Sequence, residues 1–250
     1  MIEAVRSRIA RLLEWRRAEP RMLETFVVLG LLLLGFIELG DEVVDGDTSS
    51  IDRAVLTFLR EPGNLSDPIG PWWVEAMFRD FTALGGMSVL ALLTTFVVGY
   101  LMLSGKRHNA VLVIVAIVGG ALLSQALKLG FDRPRPDLVA RLVEVRTLSF
   151  PSGHAMLSAI TYLTLGALVA RVQGGMRKRA YVMGVAVALT LLVGASRVYL
   201  GVHWPTDVVA GWTGGAAWAL LCWVIARRLE RSGTVEPPSP PAPTDIPAPS

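Results

Sequence analysis

The chain has 250 residues, 52% of them hydrophobic and only 18% charged, with a mean hydropathy of +0.51. Soluble domains carry about 25% charged residues, so this composition excludes an ordinary soluble enzyme and points to a bilayer as solvent. A net charge of +3 is too small to suggest a nucleic-acid partner, and the basic residues sit at the ends of apolar runs rather than on one face. The single cysteine, Cys222, permits no internal disulfide and no cysteine-based metal site.

Residues 1–21 form a basic segment. Val5, Ile9 and Leu12 or Leu13 share one side of a helix there, so it reads equally as an amphipathic helix on the inner surface or as a topology signal. A hydrocarbon core of about 30 Å takes roughly 20 apolar residues as a helix. Six stretches meet or approach that length: 22–39, 85–103, 110–127, 153–170, 181–199 and 208–226. None contains a proline. The fold expected is all-α, a polytopic membrane helix bundle of six transmembrane helices within residues 22–231, with both termini cytoplasmic. Gly40-Asp41-Glu42-Val43-Val44 lacks the small-residue site of a cleavable signal, so the first helix is expected to stay. Residues 232–250 are dominated by Pro, Ser and Ala, cannot build a core, and are expected to be disordered.

The orientation follows from the positive-inside rule. Basic residues precede the first stretch (Arg6 to Arg21), join the second to the third (Lys106, Arg107), join the fourth to the fifth (Arg171, Arg177, Lys178, Arg179) and follow the sixth (Arg227, Arg228, Arg231). These four places fall on one side, taken as cytoplasmic. The acidic 40–84 loop suits the other side. Within it Ile51, Val55, Phe58 and Leu59 have helical spacing, which fits either a helix lying on the outer leaflet or one packed on the protein. The outer side nevertheless carries Lys128–Arg146 and Arg197, a breach of the rule that calls for a chemical reason.

Three polar stretches fall on that side: Lys128 to Pro136, Pro151-Ser152-Gly153-His154, and Ser196 to Asp207. Lys128, Arg135 and Arg197 place three cations at the membrane boundary, where an unpaired charge costs several kcal/mol. The nearest acids in the sequence, Asp132, Asp137 and Asp207, are too few to pair with every basic residue there. A phosphate offers the missing charge and the acceptor oxygens that guanidinium forks match. Pro151 suits a first helical turn, so the amides of Ser152, Gly153 and His154 would point outward at the positive end of a helix dipole. Gly153 allows close backbone approach and Ser152 adds a hydroxyl.

His203 lies four residues before Asp207, and Pro205 is expected to start the last helix. A carboxylate in that first turn can hold one imidazole nitrogen and leave the other free as a nucleophile. His154 would face it across the phosphate as acid and then base. The scheme uses no metal and no cofactor, because the three cations would repel a divalent ion. The remaining polar and aromatic residues read more simply. His108 sits among inner-side basic residues without a role, and Arg133 and Arg141 read as surface charges. Trp72, Trp73 and Trp204 read as interfacial belt residues.

The three stretches resemble the signature motifs of the type 2 phosphatidic acid phosphatase superfamily. Lys128 with Arg135-Pro136 matches its first motif, Pro151 to His154 its second, and Ser196-Arg197, His203 and Asp207 its third. The resemblance implies a membrane lipid phosphatase, metal-independent, that works through a phosphohistidine on His203. His154 would be the acid, Asp207 the partner of His203, and Lys128, Arg135, Ser152, Gly153 and Arg197 the phosphate ligands. The expected partners are the bilayer and a phosphorylated lipid, with no obligate protein partner. Phosphatidic acid, phosphatidylglycerol phosphate, undecaprenyl diphosphate and a phosphorylated saccharolipid are all candidate substrates. The expected location is the plasma membrane, with the site on the extracytoplasmic face. A lipid phosphotransferase using the same site is the alternative. A lipid or anion transporter is a more distant one, as is a haloperoxidase.

Overall fold

The computed structural model describes residues 2–231 apart from Arg146, with side chains described between residues 22 and 230. The amphipathic reading of residues 1–18 and the disorder expected for 232–250 lie outside the described side chains and residues. The described residues form eight helices and one short hairpin, in chain order α1 (Ile2–Asp45), α2 (Ser49–Phe58), β1 (Arg60–Glu61), β2 (Asn64–Pro68), α3 (Trp72–Ala83), α4 (Met87–Leu103), α5 (Arg107–Phe131), α6 (Gly153–Arg171), α7 (Met176–Tyr199) and α8 (Pro205–Arg231). β1 and β2 pair antiparallel.

Among the described residues five helices are long and apolar enough to cross a membrane: the Met22–Asp45 part of α1, and α5, α6, α7 and α8. The sixth expected span is less regular. Its helical part, α4, has 17 residues, or about 26 Å at 1.5 Å per residue, slightly short of the ~30 Å hydrocarbon core. α3 precedes it across a 46° bend, and the pair together passes as one broken span. The break falls at Gly85-Gly86, where Gly86 is the extended N-cap of α4. The chain is a polytopic helical membrane protein.

α6 is the centre of the bundle. Residues 155–162 are buried without interruption, and they pack with α4, α5, α7 and α8 around Met156, Ile160, Leu90, Ala116 and Val193. The Ser, Thr, Ala and Gly content that weakens α6 as an apolar stretch is what lets neighbours approach, since lipid-embedded helices associate through small residues. A Cβ on Gly211 would lie 2.8 Å from that of Ala155, and one on Gly215 would lie 2.8 Å from that of Ala159. Two small residues spaced by four on α8 thus meet two on α6. Polar side chains then tie helices together in a medium without water. Trp218 donates to Ala116 O of α5 at 2.8 Å, Trp212 to Thr190 O of α7 at 3.0 Å, and Tyr162 to Leu84 O at 2.7 Å.

The 40–84 connection is structured rather than loose. α2 turns Ile51, Val55 and Phe58 outward, while Asp52 and Leu56 are fully buried. The spacing that suggested a leaflet-facing or a protein-packed helix therefore belongs to a helix that has both faces. The end of α5 and the start of α6, and the end of α7 and the start of α8, come together beneath this connection and form the candidate site.

Candidate active site

Lys128 lies inside the last turn of α5 rather than beyond it, since the helix runs on to Phe131. Asp132 then takes a left-handed conformation, φ 45°, a shape that Asp tolerates better than most residues. The chain folds back there and carries Arg133 and Arg135 over the bundle. Lys128 is 7% exposed and donates to Leu148 O at 2.8 Å. Arg135 is held by the backbone: Nε on Thr147 O at 2.6 Å and Nη1 on Val202 O at 2.6 Å. Burial draws its guanidinium down to about 10, against the pull of Asp207.

The start of α6 differs from the expectation. Ser152 is the N-cap, so Pro151 stands one residue outside the helix and not in its first turn. The Ser152 amide is also committed, donating to Asp207 O at 2.9 Å. The outward donors are therefore those of Gly153 and His154, the first helical residues, which have no intrahelical acceptor. A Cβ on Gly153 would lie 3.6 Å from Lys128 Cε, so the glycine sits directly against the lysine stem. Ser152 Oγ is buried with no hydrogen-bond partner among the described residues, and so is Arg197 Nε. Arg197, 3% exposed at the end of α7, donates from Nη1 to Thr82 Oγ1 at 2.7 Å. His154 lies within electrostatic reach of Arg197, His203, Arg135 and Lys128.

His203 is 1% exposed in the turn between α7 and α8. Its two nitrogens have different neighbours. Nε2 is 3.0 Å from Arg135 Nη1, and Nδ1 is 3.3 Å from Asp207 Oδ2. A guanidinium can only donate, so Nε2 carries the lone pair and Nδ1 the proton, which points at Asp207. Burial lowers the imidazole to about 3, and Arg135 and Arg197 add to this, while Asp207 opposes it. The ring is thus neutral near pH 7.

Asp207 is fully buried and more heavily bonded than a helix-capping residue needs to be. Its Oδ2 also accepts from Ser149 Oγ and, at 2.9 Å, from Trp204 N. Its Oδ1 accepts from Arg133 Nη1 at 2.6 Å. Arg133 is a correction to the sequence reading. Its side chain is 13% exposed, not a surface charge, and its Nη2 meets Asp52 Oδ2 of α2 at 2.7 Å. Asp52 in turn accepts from Thr206 N at 3.0 Å and Thr206 Oγ1 at 2.7 Å. Trp204 donates to Pro134 O at 3.1 Å and stacks near Arg133, 5.6 Å from its ring centre, so it packs on the first motif in addition to any interfacial role.

Asp52, Thr82, Arg133, Thr147 and Ser149 thus join the site without having been foreseen. Arg133 had a signal, two residues before Arg135 in Asp-Arg-Pro-Arg-Pro. Asp52 had none, because 154 residues separate it from Thr206. Among the described residues no group of three or more His, Cys, Asp or Glu side chains is arranged to hold a metal ion.

With that geometry in view, relatives are informative. The model of the PAP2 superfamily matches residues 109–231, which include all three polar stretches. Phosphatidylglycerophosphatase B of Bacillus subtilis is 31% identical over 204 residues, spanning 80% of this chain and 95% of that one. The chain belongs to the PAP2 superfamily. A crystal structure described as the first transmembrane PAP2-type phosphatidylglycerolphosphate phosphatase from Bacillus subtilis superposes with a TM-score of 0.73 at 28% identity, covering 81% of this chain and 98% of that one. An undecaprenyl-diphosphatase of Sulfolobus acidocaldarius is 34% identical over 93 residues, 35% of this chain and 36% of its own length. As a PAP2 membrane protein the chain is a phosphoric ester hydrolase that acts on lipids.

Proposed function

We propose that this PAP2 protein removes a terminal phosphate from a lipid through a phosphohistidine on His203, without a metal, at the extracytoplasmic face of the plasma membrane. The observation that carries the reading is the asymmetry of His203, with Nδ1–H on a buried carboxylate and the Nε2 lone pair turned toward Arg135. In this reading Nε2 attacks phosphorus in line with the leaving oxygen. Asp207 stabilises the positive charge that grows on the ring, as an orienting carboxylate does. The P–O bond breaks and the leaving oxygen takes its proton from His154. Lys128, Arg135, Arg197, the Ser152 hydroxyl and the Gly153 amide hold the equatorial oxygens as charge develops on them. Water then attacks the phosphohistidine, giving its proton to His154 and returning the electron pair to Nε2.

The sidedness rests on the distribution of Lys and Arg, since the two terminal segments and the two connections taken as inner carry 15 of the 24 basic residues. The preferred substrate in this reading is a phosphate monoester such as phosphatidylglycerophosphate. The long match to the Bacillus phosphatidylglycerophosphatase supports it, whereas the match to the diphosphatase covers little more than a third of either chain. The test is phosphate release by the detergent-purified protein from phosphatidylglycerophosphate, phosphatidic acid and undecaprenyl diphosphate, each with and without chelator. Chelator-resistant release, fastest on the first lipid and absent in His203→Ala, is expected. Turnover by His203→Ala would overturn the mechanism. Faster release from the diphosphate would overturn the substrate assignment. Transfer of phosphate to an added alcohol in preference to water would identify a phosphotransferase.

A further inference from the structure

We infer that Asp52 and Arg133 are positioning residues that lock Asp207 in place for catalysis, so that α2, outside the family's matched region, is a working part of the site. The inference rests on the reading of Asp207 as the orienting partner of His203. Three observations carry it.

The first is the division of labour on the Asp207 carboxylate. Oδ2 takes His203 Nδ1, Ser149 Oγ and Trp204 N, while Oδ1 takes Arg133 at 2.6 Å. With both oxygens engaged, the carboxylate cannot rotate away from the imidazole. The second is that Arg133 is itself held. Its Nη2 is 2.7 Å from Asp52 Oδ2, and its Nη1 also donates to Thr206 Oγ1 at 2.8 Å. One fork thus spans two carboxylates, an arrangement that a single ammonium cannot reproduce. The third is burial. Asp52 and Asp207 are both fully buried, and a buried charge that loses its partner is expensive to leave behind. Asp52 also fastens the first turn of α8 through Thr206 N, one residue before Asp207. The helix that carries the orienting carboxylate is therefore set from two directions by the same side chain.

Arg133 is directed at Asp207 and Asp52, not at the cluster formed by Lys128, Arg135 and Arg197. It is expected to act on the rate of the chemical step and not on substrate affinity.

The test uses the full-length protein in detergent with dioctanoyl phosphatidic acid, comparing Asp52→Asn, Arg133→Met and the double variant. Small displacements of a reacting group can cost up to about 100-fold. Each single variant is expected to lose ~10- to 100-fold in kcat, with KM little changed, and the double variant to lose no more than Arg133→Met. Wild-type kcat in Asp52→Asn would overturn the inference, as would losses that multiply in the double variant. A rise in KM matching the fall in kcat for Arg133→Met would also overturn it, by making Arg133 a phosphate ligand. If a charge-removing variant does not fold, Arg133→Lys keeps the charge but not the fork. It is expected to show the same kcat-only loss, and full activity there would overturn the inference. His203→Ala and Asp207→Asn run alongside. If they remain active, the underlying mechanism falls. If they are dead and Asp52→Asn is normal, only the role of α2 falls.

Discussion

The two sides of the site differ in how fully their buried polar atoms are used, although Lys128, Arg135 and Arg197 are each held by at least one hydrogen bond. On the nucleophile side, His203, Asp207, Ser149, Arg133, Asp52 and Thr206 bond to one another until the carboxylate oxygens are fully used. On the phosphate side, Ser152 Oγ and Arg197 Nε are buried without a partner among the described residues. A saturated network holds a reacting atom still, and each member contributes to stability. A donor left over inside a protein costs stability and is available to an anion with acceptor oxygens. The difference teaches that stability and phosphate affinity are separable in this site, and substitutions should divide along the same line.

The largest effect is expected from Asp207→Asn, which keeps the shape but no longer favours the Nδ1–H tautomer. A fall of roughly a thousand- to ten-thousand-fold in kcat is expected, by analogy with an orienting carboxylate in a triad, and steady-state phosphate release measures it. Next comes Arg197→Met on the other side, expected to lose about 100- to 1000-fold in kcat/KM, the usual cost of one charge-stabilising donor. Equal losses of stability in both variants would break the comparison.

The serines sharpen it further. Ser149→Ala removes a donor from a buried carboxylate and is expected to cost about 1–2 kcal/mol of stability, read as a lower unfolding temperature in detergent. Ser152→Ala removes an unpartnered hydroxyl. It is expected to leave the unfolding temperature unchanged or raise it while lowering phosphate release by up to ~100-fold. A Ser152→Ala protein that unfolds earlier than Ser149→Ala would reverse the assignment of the two sides.

A further expected effect concerns pH. The unfolded chain protonates His203 near its ordinary value of 6.5, whereas the folded protein keeps it neutral down to about 3. Between these values the unfolded state binds more protons, so stability falls as the pH drops through that window. The unfolding temperature is expected to decline from pH 6.5 to pH 4, and His203→Asn is expected to flatten the decline. A decline of unchanged slope in that variant would assign it to other groups.

Much of the molecule was legible from periodicity and spacing. The apolar stretches at 110–127, 153–170, 181–199 and 208–226 lie within α5, α6, α7 and α8; α5, α7 and α8 extend several residues further and α6 by one. The extension of α5 matters, because it puts Lys128 on the helix rather than past its end, whereas Asp207 lies in the first turn of α8 as the spacing predicts. The second stretch was the least faithful, since hydropathy does not register a 46° bend at two glycines. Within the site, the Pro-Ser-Gly-His stretch was visible, but the direction of each amide was not. Ser152 N turns inward to Asp207 O because Pro151 stays outside the helix.

By itself the sequence determined a chain that must live in a bilayer, the order of its helices, and the three polar stretches where cations and imidazoles gather. These follow from local rules, the hydropathy of about 20 residues at a time and the chemistry of side chains a few positions apart. Only the tertiary structure decided that Arg133 faces inward and that Asp52, Thr82 and Ser149 belong to the site. The physical reason is that a buried charge selects its partner by proximity in space. α2 reaches the first turn of α8 across 154 residues of chain, a distance over which no pattern along the sequence carries information.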